Sequence, residues 1–211
     1  LPKRLINNNL NYTMGCINYS GVLLASPGVV RSEDEYDNEE MEEDHKTSIL
    51  YFKAAQSLVE WTVRLPQDEN ISCICLGDNW SAAATNRQLI RLFTPQGLDY
   101  FAFGFPTEVV SLASYENLLA ILYHDSFPFS GHQCLKVKLF NVYTFQTVLE
   151  TTLTITPKAK VKWFGFSQEG ALYAQDTAFV LWAMANQGLW TPVYDGSANK
   201  NCWRIGVREA S

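Results

Sequence analysis

The stretch Ile71–Gly97, ISCICLGDNWSAAATNRQLIRLFTPQG, holds an apolar run, a tight polar turn and a run of small residues, then a second polar turn and a third apolar run. Short runs rich in β-branched or aromatic residues and closed by Gly, Asn, Asp, Pro or Ser read as strands. The stretch therefore predicts three antiparallel strands in a row. It recurs. VVSLASYENLLAILYHDS, from Val109, repeats the first two parts and continues through CLKVKLFNVYTFQTVLE. VKWFGFSQEGALYAQDTAFVLWAM, from Val161, repeats them again. NYTMGCINYSGVLLASP, near the amino terminus, is a fourth copy, continued by TSILYFKAAQSLVEWTVRL after an acidic interruption.

The starts at Ile71, Val109 and Val161 lie 38 and 52 residues apart. Units of about 40–50 residues that hold four short strands are the signature of propeller blades. No stretch of 12 or more residues carries a helical stripe; the nearest candidate, Ser111–Tyr123, is broken by Tyr115-Glu116-Asn117, which reads as a turn. The chain is predicted to be all-β, a β-propeller. A β-sandwich would also use short alternating strands, but it does not need the repeat. In a propeller, the small run Ser81–Thr85 suits an inner strand at a crowded axis, and Trp61, Phe93, Trp163 and Trp182 suit wedges between blades.

At 211 residues, with 47% hydrophobic and 13% aromatic side chains, the chain can bury a sizeable core as a single domain, residues 1–211. No run approaches the length of a membrane span, and LPKRLINNNLNY has no apolar leader pattern. The abrupt start and finish read as those of an excised fragment. The net charge of −6 is concentrated in Ser32–Asp44, SEDEYDNEEMEED, which holds nine acidic residues and no basic one. Without it the balance is 13 acidic against 16 basic residues, or +3. Such a block repels itself and lacks apolar periodicity, so residues 32–46 are expected to be a disordered, solvated insertion between two strands of one blade.

Chemistry-bearing groups are sparse. The five cysteines follow no disulfide or zinc spacing. Cys73 and Cys75 fall on one face of a strand and read as reduced, packed side chains. His45 borders the acidic block, while His124 and His132 flank the expected polar loop HDSFPFSGH. Adjacent His124-Asp125-Ser126 seldom aim at one point on a chain. Asp176 sits at a blade turn, where a carboxylate commonly accepts backbone N–H groups. Lys158, Lys160 and Lys162 alternate and are expected on one strand face, a thin footprint for nucleic acid. No catalytic, cofactor-binding or metal-binding residue is assigned, and interface residues are unassigned.

Several motifs together carry a family resemblance. They are Leu65-Pro66-Gln67 with Glu69; Cys75-Leu76-Gly77, Trp80 and Ala82–Thr85; Arg91–Thr94 with Gly97; Tyr123-His124; Trp163, Gly165–Ser167 and Glu169-Gly170; and Trp190 with Pro192. The chain resembles, in order and over nearly its whole length, the SepB-type β-propeller of a replisome scaffold family. That family is represented by the WD-repeat and HMG-box DNA-binding protein of animals and the chromosome transmission fidelity hub of yeast. The resemblance implies a six-bladed propeller, of which about five blades are at least partly represented here, with incomplete terminal blades. It implies a nuclear, non-enzymatic adaptor without cofactors that forms a homotrimer. Such a hub links the replicative helicase complex to DNA polymerase α–primase and supports sister-chromatid cohesion. Direct DNA contact by these residues is expected to be weak or absent, and no membrane is expected as a partner. The family's amino-terminal WD-repeat propeller, HMG box and client-capturing helical bundle match nothing in this chain. The alternative is a stand-alone propeller that binds a peptide or nucleic acid at its central opening.

Overall fold

The computed structural model describes residues 10–28, 47–129, 131–199 and 207. Within them lie sixteen strands in four antiparallel sheets of four. The first sheet is β1 (Met14–Ile17), β2 (Gly21–Ser26), β3 (Ile49–Ala54) and β4 (Glu60–Arg64). The second is β5 (Ile71–Leu76), β6 (Ser81–Thr85), β7 (Leu89–Phe93) and β8 (Asp99–Gly104). The third is β9 (Val109–Tyr115), β10 (Leu118–Phe129), β11 (His132–Asn141) and β12 (Gln146–Thr152). The fourth is β13 (Val161–Phe166), β14 (Leu172–Asp176), β15 (Val180–Met184) and β16 (Trp190–Asp195). In each sheet consecutive strands are neighbours. Each is therefore a meander, the form of a propeller blade.

Among the described residues there are four sheets, each with four strands. Residues 1–9 and 200–206, where strands of further, incomplete blades are expected, lie outside the described residues. The chain divides into two compact units, Leu1–Gly104 and Phe105–Ser211, each holding two sheets. In the first unit, Leu23, Leu50 and Phe52 of the first sheet share a core with Ile74, Ala83 and Phe93 of the second. In the second unit, Ala120, Leu122 and Val137 of the third sheet share one with Phe164, Leu172 and Ala174 of the fourth. Burial falls toward the last strand: β6 and β14 are buried at every position, whereas β16 is exposed at all but Trp190.

Ser81–Thr85 corrects one expectation. As β6 it lies between β5 and β7, buried on both faces, and is not the first strand of its sheet. Its alanines answer to close packing on two sides at once. Of the expected wedges, Trp61 and Phe93 meet across the first two sheets with ring centroids 6.2 Å apart, and Trp61 also stacks on Phe52 at 5.5 Å. Trp163 lies across Gly165 of its own strand, and Trp182 bonds to Asp176 of its own sheet.

The predicted loop from His124 to His132 is also corrected. Pairing continues through Tyr123↔Lys136, His124↔Leu135, Ser126↔Cys134 and Phe129↔His132, with two register shifts. Bulges let a strand continue where the alternation fails, and the Lys136–Asp125 ion pair at 2.9 Å links the two strands there. The acidic stretch 32–46 lies in the connection from β2 to β3, outside the described residues.

Candidate functional site

The titratable residues singled out by sequence do not converge. Asp125 pairs with Lys136, and Ser126 Oγ donates to the Phe127 carbonyl, so no relay runs through His124. His132 Nδ1 accepts the Lys158 N–H at 3.3 Å. His45 lies outside the described residues. Among the described residues, no group of three or more His, Cys, Asp or Glu is placed to hold a metal ion. The four described cysteines, Cys16, Cys73, Cys75 and Cys134, are free thiols. Burial pushes the Cys16 thiol up to about 11 and the Cys73 thiol up to about 12, so both stay protonated and weakly nucleophilic at neutral pH.

The lysine triad is not one face. Lys158 has a positive φ of 66° and lies with Lys160 ahead of β13, so only Lys162 belongs to that strand. Lys162 Nζ sits 4.4 Å from the centroid of the Phe179 ring. A turn breaks the alternation that the sequence suggests.

Asp176 does what its position at a turn suggested. It is fully buried. Its Oδ1 accepts the Val180 N–H at 3.1 Å; its Oδ2 accepts the Thr156 N–H at 3.1 Å and the Trp182 indole N–H at 2.9 Å. The carboxylate thereby ties the segment ahead of β13 to β15. Glu69, only 2% exposed, takes a bidentate bond from Arg91, with Nε and Nη2 each 2.7 Å away, and Arg91 Nη1 reaches Asp99 at 2.6 Å. Glu60 accepts from Tyr51 at 2.8 Å and pairs with Lys53; Glu150 likewise accepts from Tyr123 at 2.8 Å and pairs with Lys138. Burial, then Glu60, pushes the Tyr51 phenol up to about 12. These carboxylates are occupied by bonds within the fold.

A pocket of about 280 Å³ lies in the first unit. Phe52, Trp61, Trp80 and Pro95 give it apolar walls, and Asp78 and Asn79 bring polar groups. It forms where the turns β1–β2, β3–β4, β5–β6 and β7–β8 meet at one end of the two sheets. Bonds between the sheets hold its shape. Asn18 Nδ2 donates to the Leu76 and Gly77 carbonyls at 3.1 Å, Ser20 Oγ to the Asp78 carbonyl at 2.9 Å, and Trp61 Nε1 to the Pro95 carbonyl at 3.0 Å. Trp61 was legible as an inter-blade side chain. The pocket was not, because its residues come from turns as far apart as Ser20 and Gln96.

The family described as Minichromosome loss protein, Mcl1, middle region matches residues 2–211. The chain belongs to that family. Mcl1-family relatives in animals are the mouse WD repeat and HMG-box DNA-binding protein 1, 36% identical over 96% of this chain, and its human counterpart, 35% identical over 97%. A plant relative, Protein ENHANCER OF LHP1 1 of Arabidopsis thaliana, is 29% identical over 95%. The chain spans 18% of the length of the mouse and human proteins and 21% of the plant protein. Among solved structures, a crystal structure of HIRA residues 644–1017 superposes with a TM-score of 0.55 at 14% identity, covering 85% of this chain and 53% of that one. At that identity the likeness concerns the fold.

Proposed function

We propose that this chain is a non-enzymatic adaptor module of the DNA-replication machinery, part of a six-bladed propeller through which a hub assembles as a homotrimer. The hub links the replicative helicase complex to DNA polymerase α–primase in the nucleus and supports sister-chromatid cohesion. The observation that carries this reading is the Mcl1-family match over residues 2–211, together with animal relatives named as WD repeat and HMG-box DNA-binding proteins. The internal chemistry supports it. Asp176, Glu69, Glu60 and Glu150 are engaged in bonds within the sheets, an arrangement that favours rigidity over turnover. Direct DNA contact is a minor part of the reading, because Lys158, Lys160 and Lys162 present no common face.

Co-purification tests it. The protein that carries this chain, tagged in cells, should bring down an untagged second copy, helicase subunits and DNA polymerase α–primase. Excising residues 2–211 should abolish recovery of the second copy. Unchanged recovery of that copy after excision would count against the assembly role.

A further inference from the structure

We propose that the pocket between the first two sheets docks a short extended peptide, with one apolar side chain filling it and a neighbouring Lys or Arg pairing with Asp78. The pocket is preformed. Hydrogen bonds between the sheets at Asn18, Ser20 and Trp61 fix the turns around it, which lowers the ordering cost of binding. At about 280 Å³ it suits one large side chain and its adjoining backbone, rather than a large ligand.

Three of the turns that supply lining residues also carry an exposed large apolar side chain. Leu58 is 98% exposed beside the lining residues Ser57 and Val59. Tyr19 is 69% exposed beside Ser20, and Leu98 is 65% exposed close to Gln96. Exposed apolar side chains close in sequence to residues that line a concavity are the kind of feature that marks an interaction surface.

Charge selects the occupant. Asp78 is the only charged residue that lines the pocket among the described residues. Its carbonyl is held by Ser20, but its carboxylate has no hydrogen bond or ion pair among the described residues. A cationic side chain would complete it. A nucleic-acid backbone would meet that carboxylate with no Lys or Arg in the lining to offset it, so the site favours a peptide. The inference rests on the first unit alone and is independent of the homotrimer.

The test uses the full chain and three fluorescent heptapeptides that differ only at the centre: Arg-Leu-Arg, Glu-Leu-Glu and Arg-Ala-Arg. Anisotropy should show saturable binding of the first, with the other two weaker by about five-fold or more. Asp78→Lys should remove the preference for Arg over Glu flanks, and Leu58→Ser, which adds no charge, should weaken the Arg-Leu-Arg peptide. Both variants lie at the surface, and an unchanged melting curve confirms folding. Failure of all three peptides to saturate at millimolar concentration would overturn the proposal. So would equal binding of the Glu-flanked peptide, or binding indifferent to both substitutions. Loss of self-association in the two variants, seen by sedimentation without any peptide effect, would reassign the pocket to contact with a second copy.

Discussion

Three donors converge on the Asp176 carboxylate, and replacing it with Ala leaves the N–H groups of Thr156 and Val180 and the Trp182 indole without that acceptor. Asp176→Ala should cost about 2–4 kcal/mol, seen as a lower urea midpoint, and Asp176→Asn less. A neutral Asp176→Ala would show that the bonds contribute nothing net. Glu69 offers a pH test. Burial pushes its pKa up, but the Arg91 guanidinium pulls harder, so the carboxyl titrates below its ordinary value. With the folded value depressed, the stabilisation is present above the unfolded value of about 4.3 and is lost as pH falls through the folded value. Unfolding of the wild type and Glu69→Gln in urea should therefore differ most near neutrality, with the gap closing on acidification. A gap independent of pH would contradict the ion pair. The role of Asp176 was legible because Asp at a turn has a local habit. The Glu69–Arg91 pair was not, since 22 residues separate partners that only sheet pairing brings together.

Strand periodicity carried most of the elements, because short β-branched and aromatic runs between Gly, Asn and Asp have few other ways to bury one face. It failed where a turn or bulge interrupts the alternation. Lys158, with its positive φ, broke the expected lysine face, and bulges let β10 run on through residues expected to loop. The junction between the first two sheets is the element-scale test. Trp61 stacks on Phe52 and Phe93, and Gly97, at φ 85°, lies beneath its indole; a Cβ there would come within 2.6 Å of the ring. The second unit repeats the device with Gly170, at φ 88°, beneath Tyr115. Trp61→Ala should cost about 3 kcal/mol by cavity formation, and Gly97→Ala at least about 1 kcal/mol by backbone strain alone. Chemical denaturation of both variants checks this. A Trp61→Ala protein as stable as wild type would mean that the sheets are joined elsewhere.

At the scale of the molecule, the repeat made the meander legible, because each blade must bury its faces against another. The repeat does not set the number of blades, and the pocket required the turns of two sheets to be placed together. The acidic stretch gives one prediction here. Deleting Glu33–Glu43 leaves enough chain to join β2 to β3, and loop-closure entropy varies slowly with length. The melting temperature should move by no more than about 3 °C. A collapse in stability would make the segment part of the core. Assembly is tested most directly by sedimentation equilibrium of the chain with its flanking sequence in the full protein, at micromolar concentration and moderate salt. A mass three times that of one chain is expected, and a mass equal to one chain would contradict the homotrimer.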